Sequence, residues 1–365
     1  MANAGDRLEQ LIREVCDRSS VISFAGGFPA TETIPQEALS QAALSAVRTL
    51  PRVEASLQYC WPEGKPALRK WVAARLAQRG VRVEPDEVII TAGAQQALSL
   101  SYRALGEPGT RVLVDPISYP GALDVMRSAG AQFTEDPARA QVAYLMAGVA
   151  NPVGHDSLPV HWRVLRERDC PLIVDEAYAE LRFDGALPPA LLGEARERVF
   201  HVGTVSKSIC PGLRIGWLVP PPSRLRGFLD DKTHDDLQAG TFAQTLLSGL
   251  LCRIDYDAHL RGVRALYRER AACLARALQR SLPQLAFRAP EGGFSLYADT
   301  GCRMEEVAFF EACVAEEVIY DPGSRFVAEP RDTDTLKLRL CFSSLSPERI
   351  ERGVERLARA WARVS

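Results

Sequence analysis

Lysine is scarce in this chain. Among 44 basic residues only five are lysines: Lys65, Lys70, Lys207, Lys232 and Lys337. Charge of either sign is close to balanced, and the net value of −2 gives no reason to expect nucleic acid or a membrane surface as a partner. The first twenty residues lack an apolar run and carry Asp6, Arg7, Glu9, Arg13, Glu14, Asp17 and Arg18 instead. That excludes a signal peptide or membrane span there, and a cytoplasmic location is expected. The nine cysteines are scattered, with no C-x-x-C, and the five histidines form no H-x-x-x-H or H-E-x-x-H pattern. The cysteines therefore read as reduced core residues, and no metal site is expected. No internal repeat or low-complexity tract is found. A length of 365 with 47% apolar and 25% charged residues suits one large or two ordinary domains with an ample core.

What is there centres on residues 204–216, Thr-Val-Ser-Lys-Ser-Ile-Cys-Pro-Gly-Leu-Arg-Ile-Gly. Apolar runs precede and follow it, which reads as strand, turn, strand. A lysine placed where arginine is the default suggests lysine chemistry. Arginine stays protonated, whereas a lysine amine can lose its proton and attack a carbonyl. Thr204, Ser206 and Arg214 are residue types that bind phosphate. Taken alone, the turn reads as an exposed polar loop, and the rest of the chain has to overturn that reading.

The surrounding pattern gives the turn a setting. Helices are expected over 6–16, 35–50 and 66–79. A strand over 86–91 runs into Ala92-Gly93-Ala94-Gln95, where a helix begins. Such a turn offers free N–H groups and a helix dipole to an anion. Strands over 111–115, 131–134, 141–146 and 172–175 then alternate with helices over 119–129 and 159–168. That alternation predicts an α/β fold, a mainly parallel sheet flanked by helices. Catalytic groups in such sheets collect at the carboxyl ends of the strands, and Gly93, Asn151, Asp175 and Lys207 all fall there. After the central turn the pattern becomes α+β. Helices are expected over 235–254, 257–282, 304–315 and 347–361, with strands over 294–298 and 336–342.

Gathered at the strand ends are an amine (Lys207), a carboxylate (Asp175), a phenol (Tyr178), an amide (Asn151) and a phosphate cradle (Ala94, Gln95, Thr204, Ser206, Arg214). Pyridoxal 5'-phosphate needs this set. Lysine forms the Schiff base, the aspartate keeps the pyridine nitrogen protonated, and the amide and phenol suit the ring's phenolate oxygen. Helix amides, hydroxyls and arginine take the phosphate.

These residues sit in ordered motifs: F-A-G-G-F-P, Y-x4-G-x3-L-R, T-A-G-A-Q-Q-A-L, Y-P-G-A, N-P-V-G, V-D-E-A-Y, S-K-S-I-C-P-G-L-R-I-G-W, E-G-G-F, P-G-S-R-F and L-R-L-C-F-S. On them the chain resembles fold-type I pyridoxal-phosphate enzymes of the class I/II aminotransferase group. It is most similar to the branch holding 2-aminoadipate aminotransferases and the effector domains of MocR-type regulators. The resemblance spans roughly residues 22–357. It implies a large cofactor-binding domain over 46–255 and a smaller α+β domain over 256–365, packed with an N-terminal segment over 1–45. It implies transamination from an α-amino acid to a 2-oxo acid by a ping-pong route through pyridoxamine phosphate. It makes Lys207 the Schiff-base lysine and proton shuttle, Asp175 the pyridinium partner, and Asn151 and Tyr178 the phenolate partners. It adds Tyr119 stacked on the ring, and Arg339 clamping the substrate carboxylate with Gly27 backbone, with Asn151 also on the substrate. It also adds Tyr59 reaching the cofactor phosphate of a neighbouring subunit, in a homodimer with shared sites.

Three departures stand out. The usual N-P-T-G reads Asn151-Pro152-Val153-Gly154. The segment between Phe133 and Val142 is short. Pro116-Ile117-Ser118-Tyr119 is one residue longer than P-x-Y. No winged-helix region is expected ahead of the domain, and a DNA-binding regulator is therefore not the expected reading. Other pyridoxal-phosphate reactions (decarboxylation, β- or γ-elimination, oxidation) and a non-catalytic ligand sensor are the alternative readings.

Overall fold

A computed structural model of the protein describes residues 4–15, 18–48, 57–188, 190–329 and 335–364. Its strands are β1 (Ile22–Phe24), β2 (Ile89–Thr91), β3 (Arg111–Leu113), β4 (Gln132–Thr134), β5 (Val142–Met146) and β6 (Leu172–Asp175), followed by β7 (Val199–Thr204), β8 (Gly216–Val219), β9 (Ala286–Phe287), β10 (Ser295–Asp299), β11 (Val318–Pro322) and β12 (Lys337–Cys341). Two sheets form, in the orders β2-β8-β7-β6-β5-β3-β4 and β1-β11-β12-β10-β9.

In the larger sheet β3 to β7 pair in parallel. β8 runs against both β7 and β2, because it returns directly from the 205–215 turn. Every residue of β5, β6 and β7 is buried. Parallel strands covered by helices on both faces need such continuous apolar runs. The smaller sheet joins the two ends of the chain, since β1 pairs in parallel with β11 through Ile22 and Val318. The fold is thus α/β with a smaller domain built from N- and C-terminal segments.

The helix Tyr256–Ser281 leads from the larger sheet into the smaller domain. Its first turn is tied beneath the central turn. Tyr256 donates to Glu180 at 2.6 Å, its hydroxyl lies 2.9 Å from that of Ser208, and His259 Nε2 lies 2.6 Å from the Ser208 carbonyl. Among the described residues, no helix is long and apolar enough to cross a membrane.

Several expectations need correction. The helix expected over 235–254 is two helices, Leu225–Asp236 and Thr241–Leu251. Leu237 breaks it at a φ of 59°. The break is held by tertiary hydrogen bonds: Gln238 accepts from the Cys60 amide, and Gln244 accepts from the Lys65 amide at 2.7 Å. The strand over 86–91 begins only at Ile89, because Pro85–Glu87 forms a single 3-10 turn with Glu87 capping the Glu84 amide. Strands β1 and β11 lie outside every expected element; each is short and borders apolar sequence with no period of its own. Cys252 and Cys302 are exposed, not core, while Cys170, Cys273, Cys313 and Cys341 are buried. Cys16 and residue 50, expected ends of the first two helices, lie outside the described residues.

Candidate active site

Strands β5, β6 and β7 deliver their carboxyl ends to one place. There the chain forms an open cavity of about 120 Å³. Ala94 and Gln95 line it from the helix Ala94–Arg103, Asn151 from the segment after β5, Asp175 and Tyr178 from the end of β6, and Thr204, Ser206, Lys207 and Arg214 from the central turn. Tyr119 closes it from the residue before the helix Pro120–Ser128.

Asp175 is buried and accepts two hydrogen bonds, from the Ala177 amide at 2.9 Å and the Tyr144 hydroxyl at 2.9 Å. Burial pushes its carboxyl above the usual range, against those two bonds. Lys207 is half-buried, with Nζ 5.4 Å from the Tyr178 ring centre and 5.8 Å from that of Phe294. Burial pulls its amine below the usual lysine range, and the charges of Arg339 and Arg214 act in the same direction. Desolvation favours the uncharged amine, the form that attacks a carbonyl. Burial likewise pushes the Tyr178 phenol up.

The anion cradle is built by close approach. Gly93 precedes the helix at a φ of 83°, and a Cβ there would lie 2.4 Å from Arg214 Nη2. Arg214 itself is left-handed at a φ of 52°. The Thr204 hydroxyl donates to the Ile215 carbonyl at 2.7 Å and accepts from the Ser206 amide at 3.1 Å. It also lies 2.9 Å from the Ser206 hydroxyl, so the two hydroxyls pair with each other inside the turn. Gln95 donates to the Gly121 carbonyl at 2.7 Å and accepts from the Tyr119 hydroxyl at 3.3 Å, which ties the tyrosine to the cradle.

Gly27, Arg339 and Tyr59 lie outside this lining. Gly27 and Arg339 meet each other, since a Cβ on Gly27 would lie 2.6 Å from Arg339 Nη2. Arg339 is buried on β12 and donates from Nη1 to Asp321 at 2.5 Å. Tyr59 has 75% of its surface exposed. Sequence reasoning missed Tyr144 and Asp321. An aromatic in a fully buried strand reads as core, and Asp321 falls in a segment with no strand signal of its own.

The donor set fits pyridoxal phosphate. The Asn151 Oδ1 atom is buried without a partner, and no hydrogen bond or ion pair engages Lys207 Nζ among the described residues. Residues 20–357 match the family model of aminotransferase class I and II. A 2-aminoadipate transaminase of Thermus thermophilus is 33% identical, over 98% of this chain and 95% of its own. The crystal structure of LysN, an alpha-aminoadipate aminotransferase from the same species complexed with N-(5'-phosphopyridoxyl)-L-leucine, matches with a TM-score of 0.86 and 32% identity, covering 99% of this chain and 97% of that one. The kynurenine aminotransferase of Pyrococcus horikoshii, in complex with PMP, matches at 0.88 and 26% identity, covering 100% and 95%.

Fold and cavity together define a pyridoxal-phosphate-dependent transferase of fold type I. The chain belongs to the class I and II aminotransferase family.

Proposed function

We propose that this aminotransferase moves an amino group from an α-amino acid to a 2-oxo acid in two half-reactions, with Lys207, Asp175 and Tyr178 as its catalytic residues. One observation carries the reading: the unpaired Lys207 amine, the buried Asp175 carboxylate and the N-terminus of the helix Ala94–Arg103 face one cavity. When bound, pyridoxal phosphate supplies the aldehyde carbon and a ring that accepts electrons from the substrate. Asp175 would hold the ring nitrogen protonated. Asn151 and the Tyr178 hydroxyl would hold the ring oxygen. The Ala94 and Gln95 amides, Thr204, Ser206 and Arg214 would hold the phosphate. Tyr119 would cover the ring. Lys207 Nζ takes and returns the proton at the substrate Cα, a task suited to an amine depressed by burial. Arg339 orients the substrate carboxylate beside the Gly27 backbone.

A homodimer is part of the same reading. Tyr59 and Trp61 are 75% and 77% exposed, and Tyr59 does not line this chain's own cavity, which supports a role at a neighbouring subunit's phosphate. A division at about residues 45 and 255, and a cytoplasmic location, belong to it as well.

The test is a pair of half-reactions on enzyme loaded with pyridoxal phosphate. A panel of amino acids should bleach the cofactor's visible absorbance, and a 2-oxo acid should restore it. Bleaching that no 2-oxo acid reverses would indicate decarboxylation or elimination instead. Arg339→Lys should then lose about 2–5 kcal/mol of transition-state binding for amino acids, as for a broken buried charge pair.

A further inference from the structure

The buried guanidinium of Arg339 already has a carboxylate. β11 and β12 run antiparallel with Asp321 opposite Arg339, so the pair is fixed by sheet register. Arg339 is 4% exposed and Asp321 8%. The bond runs from Nη1 to Asp321 Oδ2 at 2.5 Å. The Gly26 amide donates to the same oxygen at 3.0 Å, so the glycine loop, the acid and the arginine form one unit. Arg339 Nε is buried without a partner, and Nη2 faces the space that a Cβ on Gly27 would fill. The pair is therefore one-sided. Asp321 neutralises the arginine while using one of its three nitrogens.

We propose that Asp321 is a positioning residue that sets substrate specificity: it weakens the site's hold on α-carboxylates and admits primary amines that carry none. The proposal rests on the reading of Arg339 as the carboxylate-binding residue. Three physical points carry it. A buried cation without a counter-charge is strongly disfavoured, so in a site whose arginine depended on the ligand for neutralisation, ligands lacking a carboxylate would be rejected. Asp321 removes that penalty from inside the protein. An incoming carboxylate, by contrast, must share Arg339 with Asp321 or displace it, and two like charges beside one guanidinium repel. Finally, the Gly26 bond and the β11 backbone hold Asp321 in place, so it can take Arg339 back as soon as a carboxylate leaves.

The experiment uses enzyme loaded with pyridoxal phosphate, as wild type and as Asp321→Asn, Asp321→Ser and Arg339→Gln. Asparagine keeps the size and an oxygen for the Gly26 amide while removing the charge. The probes are L-leucine, 3-methylbutylamine (the same side chain without the carboxylate) and unreactive 4-methylpentanoate, whose dissociation constant is read by calorimetry. Asp321→Asn should bind 4-methylpentanoate about tenfold tighter. It should also shift the ratio of kcat/KM for leucine over 3-methylbutylamine at least about tenfold toward leucine. A purely structural role would weaken both substrates alike, and that result, or unchanged carboxylate binding, overturns the proposal. Asp321→Ser gives the same readouts should the asparagine variant fail to fold. Independently of any variant, the wild type must aminate its cofactor from 3-methylbutylamine; no bleaching by the amine overturns the proposal. Arg339→Gln separates the two levels. If it binds 4-methylpentanoate like wild type, the clamp assignment falls and the proposal with it. If it weakens binding while Asp321→Asn fails to tighten it, only the proposal falls.

Discussion

Tyr144 on β5 donates its hydroxyl hydrogen to Asp175 Oδ2 on the neighbouring strand β6 at 2.9 Å. Burial holds this phenol far above its usual range, so it stays protonated and acts as a donor. The bond lowers the Asp175 pKa against the burial that raises it. Tyr144→Phe should therefore push the carboxyl further up. A hydrogen bond to a charged group contributes about 1.5–3 kcal/mol, so kcat/KM should fall roughly 10- to 100-fold. The acid limb of the pH–rate profile should move to higher pH. An unmoved limb would reduce Tyr144 to packing.

Lys207 should be the residue that carries the cofactor. Borohydride reduction of loaded enzyme followed by peptide mapping should place the label on Lys207, and Lys207→Ala should abolish turnover; label on another lysine refutes the assignment. Burial also makes a prediction for protein stripped of cofactor. The unfolded chain keeps this proton until about pH 10.4, whereas the folded chain releases it sooner. Unfolded protein thus binds more protons in that window, and stability should rise with pH up to about 10.4. Lys207→Met should flatten that rise and melt higher at pH 7.5.

Gly93 should tolerate no side chain. Its φ of 83° with a ψ of 171° is a region that essentially only glycine visits, at a cost of about 1–3 kcal/mol for other residues. An alanine Cβ would also displace Arg214 from 2.4 Å. Gly93→Ala should weaken pyridoxal phosphate binding about tenfold or more, measured by equilibrium dialysis. Gly109 is equally left-handed, but a Cβ there would meet nothing within 4 Å. It is the control, and its alanine variant should lower the melting temperature without changing cofactor affinity.

Tyr59 should act across a two-fold axis. Mixed and refolded Lys207→Ala and Tyr59→Ala chains place one intact site in each mixed dimer, and roughly a quarter of wild-type activity should return at equal amounts. Sedimentation should find a dimer at assay concentration. A fully active monomer would contradict the shared site.

Much of the chemistry was legible locally. The lysine turn announced itself through residue type, and the Gly93 turn and Asp175 through their places at strand ends. The alternation of elements from β2 to β7 followed from apolar runs and glycine or proline punctuation. The break at Leu237 was not legible, because the apolar spacing continues across it and Gln238 and Gln244 stop the helix by bonding a loop nearly 180 residues away. Tyr144 was hidden for another reason. Its neighbours on β5 are apolar and buried, so nothing nearby marks its hydroxyl as used.

By itself, the sequence determined the elements and the kinds of groups at their ends, since periodicity, turn chemistry and residue type act within a few positions. Only the tertiary structure decided which groups meet. The Tyr144–Asp175 bond joins residues 31 apart and the Arg339–Asp321 pair residues 18 apart, each across neighbouring strands. Which residue faces which across two strands depends on register, and register is set by the whole sheet packing against its helices, not by the local sequence of either strand.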